Sequence, residues 1–168
     1  MVSLEMWIPF STELEALCFV AVIALLQRVL ESRVVVDGRL VAEIGRGLLV
    51  FVAVRPDDSE QAADRLVERV LGYRMFGDDQ GRMNLNVLQV GGEILVVPQF
   101  TLAAHTRKGL RPSFAGGAAD PELGRRLLDR FVTRAREQLP ERVVSGTFGA
   151  DMKVQLTNDG PVTFWLEV

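Results

Sequence analysis

The chain has 168 residues, of which 48% are hydrophobic and 24% are charged, as is typical of one globular domain with a single core. Its formal net charge of -3 at pH 7 excludes a protein that coats nucleic acid, because such a protein is basic over its whole surface. Any contact with nucleic acid must come from a local basic patch. The single cysteine, Cys18, excludes an internal disulfide and indicates a reducing compartment, for which we expect the cytoplasm. The apolar stretch 16–26 is shorter than the roughly 20 residues that cross a bilayer, so we expect no contact with a membrane.

The hydrophobic pattern predicts several strands in the first third of the chain. Val22–Val29 and Arg33–Val36 are the first two, and Asp37-Gly38 has the composition of a tight hairpin turn. Arg39–Ile44 is the partner strand of that hairpin. Leu48–Val54 is a continuous apolar run, which predicts a core strand covered on both faces.

Two helices are predicted to interrupt the strands. The first has cap residues at 57–59 and runs through Leu71, and the second runs from Pro121 to about Leu139. Between them, Ile94–Val97 is predicted to be a strand, and Pro98–Phe114 is interpreted as a functional loop.

The last predicted elements are strands at Met152–Leu156 and Val162–Val168, separated by a turn at 157–161. Strands with two interleaved helices indicate a layered α/β or α+β domain, in which helices cover a strongly curved sheet. Residues 1–21 precede the first clear strand and carry no motif, so we interpret them as an extension of a domain that spans residues 22–168.

The inventory of reactive side chains excludes several chemistries. With one histidine, His105, and one cysteine, a zinc site of several His and Cys ligands is not possible. His105 lies in a polar loop, where a solvated role is favoured over that of a general base. The pairs Asp57-Asp58 and Asp78-Asp79 could hold magnesium but lie where caps and turns place such residues, so we expect no metal and no cofactor. Catalytic groups must then come from hydroxyls, the main chain or the substrate.

Two segments are more specific, Pro98-Gln99-Phe100-Thr101-Leu102 and Asn158-Asp159-Gly160-Pro161-Val162-Thr163. Together they resemble the Ser-Gln-x-x-Thr and Asn-x-Gly-Pro-x-Thr signatures of D-aminoacyl-tRNA deacylases, the DTD family. In order and spacing the likeness covers about Val22 to Val168. It implies a DTD-like α/β fold, a layered β/β/α domain with a strongly curved, barrel-like sheet and two main helices.

The resemblance also implies an activity, the hydrolysis of the ester bond between a D-amino acid and the 3′-terminal adenosine of tRNA. Glycine mischarged on tRNA(Ala) is expected to be a substrate as well. The implied assembly is a homodimer, in which the Gly160–Pro161 dipeptide, with a cis peptide bond, reaches into the active site of the other subunit. Carbonyl oxygens of Gly160 and Pro161 would bind the α-ammonium group of the substrate, so that an L side chain would point into the wall.

The catalytic residues that the resemblance implies are Gln99, Phe100 and Thr101. Main-chain N–H groups of Phe100 and Thr101 would stabilise the tetrahedral oxyanion, while the terminal ribose 2′-hydroxyl assists the attack of water. A nucleophilic Thr101 is the alternative, although the sequence contains no dedicated base for it. Gln99 bonds either within the site or to the adenosine, or else to local backbone.

Further residues are expected to contact the substrate. The expected substrate-binding residues are Pro98, Ser113, Phe114, Asn158 and Thr163. The expected tRNA-binding residues are Arg107, Lys108 and Arg111, a basic cluster suited to the phosphates of the acceptor end. Phe114 and Phe148 either stack on the adenine or belong to the core.

Three positions depart from the family pattern. Pro98 replaces the usual serine, Thr147 stands where arginine is common, and His105 stands where an acidic residue is common. A related animal family that acts on mischarged L-alanine also has Pro-Gln in the first signature. Two alternatives therefore remain open at this point, a non-catalytic tRNA-binding dimer and a deacylase with relaxed chirality that acts on L-alanyl-tRNA.

Overall fold

The computed structural model describes residues 22–107 and 109–168, so the proposed extension 1–21 and Lys108 lie outside the described residues. This part of the chain contains eight strands, two α-helices and one short 3-10 helix. In chain order they are β1 (Ile23–Val36), β2 (Arg39–Ile44), β3 (Gly47–Ala53), α1 (Glu60–Gly72), β4 (Phe76–Gly77), β5 (Met83–Leu85), β6 (Glu93–Pro98), the 3-10 helix (Phe100–Ala103), α2 (Pro121–Gln138), β7 (Val143–Ser145) and β8 (Met152–Glu167).

Strand β1 organises a six-stranded mixed sheet with the order β2-β1-β3-β6-β7, in which β8 also pairs with β1. Strand β8 runs antiparallel along nearly the whole of β1, so it occupies one edge of that strand. Strands β2 and β3 therefore share the other edge, β3 along residues 23–29 and β2 along residues 32–36. Strands β3, β6 and β7 are parallel to one another.

The sheet curves so strongly that each of its faces encloses apolar side chains. On one face, Leu48, Val50 and Val52 of β3 pack in the core beneath the two helices. On the opposite face, Leu49 belongs to a smaller core that also contains Ile44 of β2 and residues of β6. Strands β2 and β6 are not neighbours in the sheet, so this contact requires a nearly closed barrel. The prediction that β3 is covered on both faces is confirmed.

The two helices form as the sequence predicts. Ser59 caps α1 by accepting a hydrogen bond from the N–H of Ala62, and Asp120 caps α2 with Pro121 in its first turn. Their apolar faces cover the sheet with fully or nearly fully buried side chains, among them Leu66, Val67, Val70, Leu127, Leu128, Phe131 and Val132. No helix in residues 22–107 and 109–168 is long and apolar enough to span a membrane.

Two predictions about the strands are wrong. The strands predicted at 22–29 and 33–36 are one strand, β1, and those predicted at 152–156 and 162–168 are one strand, β8. The pairing continues because register shifts on both sides of Val29 absorb the extra residues of the segment predicted as a turn. The short strands β4, β5 and β7 were not predicted, since two or three residues carry no measurable alternation.

Candidate active site

The first signature forms the junction between β6 and the 3-10 helix. Gln99 has backbone angles of φ -143° and ψ 71°, which are neither helical nor those of a regular strand, and it precedes the helix. The first hydrogen bond of the helix joins the N–H of Leu102 to the carbonyl of Gln99, at 3.1 Å. The N–H groups of Phe100 and Thr101 precede that bond and have no acceptor within the helix. Two adjacent main-chain donors therefore stand at the start of the helix, as an oxyanion hole requires.

A cleft of about 320 Å³ opens beside this junction. It is bounded by the end of β6, the start of α2 and the segment 148–152. Pro98, Gln99, Phe100 and Phe148 all line it. The guanidinium of Arg125 lies 4.8 Å from the centroid of the Phe148 ring, a distance at which a cation–π contact holds the ring in place. The cleft thus has an aromatic side chain, Phe148, in its wall, and Phe100 at the start of the 3-10 helix lines the same cleft.

Thr101 is oriented by Gln99, whose Nε2 atom donates to Thr101 Oγ1 at 2.5 Å. A carboxamide is not a base at neutral pH, so this contact positions the hydroxyl without activating it as a nucleophile. His105 is exposed and lines a different cavity from the cleft. The interpretation of Thr101 as the nucleophile therefore gains no partner from the geometry.

The predicted loop after the 3-10 helix is a short hairpin. His105 and Ser113 exchange two backbone hydrogen bonds of 2.8 and 3.1 Å, which close its base. Arg107 and Arg111 are exposed near its tip, and Lys108 lies outside the described residues. Phe114 follows the hairpin, is 38% exposed, and contacts the Phe100 ring with a centroid separation of 5.2 Å, so it extends the aromatic surface next to the cleft.

The second signature forms a compact corner within β8. Asn158 accepts a hydrogen bond from the N–H of Val162 at 2.8 Å and donates to Thr163 Oγ1 at 3.1 Å. Gly160 and Pro161 are exposed between them, and their peptide bond is cis, the isomer that the resemblance implies. Gly160 has φ 134°, a backbone conformation that is essentially restricted to glycine.

Arg28 of β1 anchors this corner, a role that the sequence interpretation missed. Its Nε atom lies 3.1 Å from the carbonyl oxygen and 3.0 Å from the carboxylate of Asp159. Its Nη1 atom donates to the carbonyl of Met75 at 2.7 Å, and the side chain is only 15% exposed. The segment Leu26–Val29 belongs to the resemblance, but no local pattern indicates that Arg28 reaches a partner 131 residues away.

The corner and the cleft are separate within one protomer. Thr163 is level with Gln27, Leu49 and Leu95 in successive strands, and Gln99 follows Leu95 by four residues. Three strand spacings across and four residues along amount to a path of roughly 20 Å on the sheet, which is longer than the straight line because the sheet is curved. Residues 158–163, all of them described, are not among those that line the cleft. A single copy therefore does not bring the two signatures together.

Comparison with known proteins identifies the family. A family model described as D-Tyr-tRNA(Tyr) deacylase matches residues 25–167. The chain belongs to this family. A Pasteurella multocida (strain Pm70) protein named D-aminoacyl-tRNA deacylase is 58% identical over 146 residues, which cover 87% of this chain and 99% of the relative. A protein of the same name from Escherichia coli O1:K1 / APEC is also 58% identical, with the same coverage.

Solved structures agree with this family's fold. A structure described as the c-Myc DNA Unwinding Element Binding Protein is 35% identical, with a TM-score of 0.83 over 87% of this chain and 98% of its own. A structure described as a probable eukaryotic D-amino acid tRNA deacylase is 21% identical, with a TM-score of 0.77 over 88% and 100% of the two chains. The implied α/β fold, with its barrel-like sheet and two helices, is confirmed.

In this member of the family, the residues expected to form one site lie in three places. Pro98, Gln99 and Phe100 surround the cleft, with Thr101 next to them. Ser113, Phe114, Arg107 and Arg111 belong to the neighbouring hairpin or follow it. Asn158, Gly160, Pro161 and Thr163 form the distant corner. The roles of all these residues in the reaction stay predictions.

Proposed function

We propose that this chain hydrolyses the ester bond of D-aminoacyl-tRNA to a free D-amino acid and tRNA, and thereby proofreads the chirality of aminoacylation. The observation that carries the proposal is the pair of N–H groups of Phe100 and Thr101, which have no acceptor within the 3-10 helix and lie next to the cleft, in a chain that belongs to the deacylase family. Such donors are suited to the oxyanion of an acyl-transfer reaction.

The proposed reaction is the attack of water on the ester carbonyl carbon. The carbonyl oxygen becomes an oxyanion that accepts hydrogen bonds from Phe100 and Thr101, and each such donor is commonly worth about 3 to 4 kcal/mol of transition-state stabilisation. The bond between the carbonyl carbon and the 3′ oxygen of the ribose then breaks, and this oxygen takes up the proton that the water released. The neighbouring 2′-hydroxyl assists this proton transfer, which accounts for a site without a dedicated base.

Chirality selection is proposed to require a second copy of the chain. The exposed carbonyl oxygens of Gly160 and Pro161 would bind the substrate's α-ammonium group in the cleft of the partner, because the same chain's cleft is roughly 20 Å away along the sheet. With the ammonium and ester groups both held, an L side chain would meet the wall of the site. Glycine has no side chain and would be accepted, so glycyl-tRNA(Ala) is a proposed substrate.

The surroundings of the cleft are proposed to bind the end of the tRNA. Phe148 lines the cleft and would stack on the terminal adenine, with Phe114 at its edge. Arg107 and Arg111 on the hairpin would contact backbone phosphates. We propose the cytoplasm as the compartment of the reaction, because aminoacyl-tRNA is used there and a single cysteine is typical of a reducing compartment.

The experiment is a deacylation assay with D-Tyr-tRNA, L-Tyr-tRNA, glycyl-tRNA(Ala) and L-alanyl-tRNA. We expect rapid ester loss from the D-tyrosyl and glycyl substrates, and loss at the uncatalysed rate from both L substrates. Stability of all four esters would contradict the proposal and leave a tRNA-binding dimer. Hydrolysis of L-alanyl-tRNA would reveal relaxed chirality, and Pro98→Ser is the matched variant that tests whether the missing serine causes it.

A further inference from the structure

A second cavity, of about 570 Å³, lies on the other side of the 3-10 helix from the cleft. Its walls come from residues 55–57, 102–107 and 116–117, together with Trp165 of β8. Phe100 lines the cleft and Leu102 lines the second cavity, so the 3-10 helix forms the wall between the two cavities. A 3-10 helix rises about 2 Å per residue, so Phe100 and Leu102 are about 4 Å apart along its axis. Consecutive nucleotides of one strand can therefore reach both cavities.

The floor of the second cavity is held in place by close backbone contacts. A Cβ atom on Gly117 would lie only 2.2 Å from the carbonyl oxygen of Ala103, so the glycine is needed for this approach. The N–H of Ala119 donates to the carbonyl of Val54 at 2.9 Å and fixes the end of the same segment. Backbone contacts therefore fix the shape of this floor, independently of side-chain rotamers.

The lining of the second cavity has the chemistry of a nucleotide site. Trp165 is 47% exposed, which leaves indole surface for a base to stack on. Arg107 is exposed, so its guanidinium group is available for a phosphate, whereas Arg55 is paired with Glu167 at 3.0 Å. The carboxylate of Asp57 is exposed in the same lining and can accept a hydrogen bond from the amino group of a base.

We propose that the second cavity binds the nucleotide that precedes the terminal adenosine of tRNA. That nucleotide is a cytidine in the common 3′ end, and its N4 amino group is the donor that an aspartate accepts. The base would stack on Trp165, and its phosphate would bind Arg107. The inference rests on the proposed function, because it assumes that the adenosine occupies the cleft. Trp165 is then an RNA-binding residue that does not touch the reacting ester.

The first test compares a long and a short substrate. We expect Trp165→Ala to lower kcat/KM on D-Tyr-tRNA about tenfold, within the range for the loss of one base stack. The same variant should leave kcat/KM on 3′-O-D-tyrosyl-adenosine unchanged, because that ester lacks the preceding nucleotide. Trp165→Phe keeps an aromatic face and should retain most activity on both. An equal loss on both substrates, or no loss on the tRNA, would overturn the inference.

The second test measures binding without turnover. The chain has two tryptophans, so Trp7→Phe leaves Trp165 as the single indole reporter. We expect the trinucleotide cytidine-cytidine-adenosine to quench its fluorescence, and adenosine alone to leave it unchanged. Replacing Asp57 with Asn should weaken trinucleotide binding, and raising the salt concentration should weaken it further.

The two tests separate the two proposals. If the wild-type chain hydrolyses neither ester, the proposed function fails, and quenching by the trinucleotide still decides whether the second cavity binds a nucleotide. If both esters are hydrolysed and the trinucleotide causes no quenching, the inference about the second cavity fails while the proposed function stands.

Discussion

Removal of the Arg28 side-chain charge is expected to loosen the Gly160–Pro161 corner. Arg28 binds the Met75 carbonyl at 2.7 Å and two oxygens of Asp159 at 3.0 and 3.1 Å, and it is mostly buried. Arg28→Met keeps an unbranched apolar stem but removes the guanidinium group and with it all of these bonds. It leaves the buried carbonyl of Met75 without its donor.

The loss in free energy of unfolding can be worked out from these contacts. A hydrogen bond to a charged group contributes about 1.5 to 3 kcal/mol, and the two carbonyl acceptors share one guanidinium, so their energies do not add in full. The carboxylate of Asp159 is 35% exposed, and solvent screens its part of the interaction. We therefore expect Arg28→Met to lower the free energy of unfolding by about 3 kcal/mol.

The effect on activity is the sharper readout. Under the proposed function, a corner displaced by about 1 Å lowers kcat/KM on D-Tyr-tRNA up to about a hundredfold. The matched control is Arg33→Met, since Arg33 lies on the same strand, is exposed, and bonds only the side chain of Gln155. That control should keep kcat/KM within about twofold, because exposed pairs contribute little.

Urea unfolding and deacylation assays on the two variants test whether Arg28 positions the corner. Arg28→Met with reduced stability and unchanged kcat/KM would refute the reasoning, because Arg28 would then support the fold without positioning the corner. An equally large loss of activity in Arg33→Met would also refute it.

Other variants test individual contacts. Arg130 hydrogen-bonds Asp64 and holds the pKa of that carboxyl below its usual range, so Arg130→Met should lower the free energy of unfolding at pH 7. A depressed pKa gives stability that is present above the unfolded pKa, so this difference should shrink as the pH falls below about 4 in urea unfolding experiments. Burial raises the pKa of Asp58, whose Oδ1 atom has no hydrogen-bond partner in the described structure, so its charge destabilises the fold as the pH rises. Asp58→Asn should therefore be more stable than wild type at pH 7 and lose that advantage near pH 3. Thr101→Ala should retain most deacylase activity, and a loss beyond about a hundredfold would restore Thr101 as a nucleophile.

Local patterns were enough to predict those elements whose environment is uniform along their length. Strand β3 has apolar residues at every position because both of its faces are covered, so its burial could be predicted from composition alone. Helix α2 could be predicted equally well, since Asp120 and Pro121 mark its start and apolar residues recur at helical spacing.

Strand β8 could not be predicted as one element because its middle has the composition of a turn. Asn158 to Pro161 contains residues that favour turns, and only pairing with β1 reveals that the corner is a bulge inside a strand. The anchoring role of Arg28 was missed for the same reason, since its partner Asp159 lies across that pairing. Functional geometry here depends on contacts that are distant in sequence.

The position of Pro98 explains why the fold tolerates its departure from the family pattern. In the parallel pairing of β6 with β3, the N–H of Gln99 donates to the carbonyl of Val52 at 2.8 Å, so the nitrogen of Pro98 points toward the opposite edge, where β7 lies. On that edge the N–H of Gly146, just after β7, still donates to the carbonyl of Val96 at 2.8 Å, so residue 98 holds the next donor position toward this strand, and Pro98 ends the pairing there. A proline there costs at most one bond at the end of the ladder with β7 and none of the bonds to β3. The substitution therefore changes the surface of the cleft, where it removes a hydroxyl, and leaves the strand that carries the site intact.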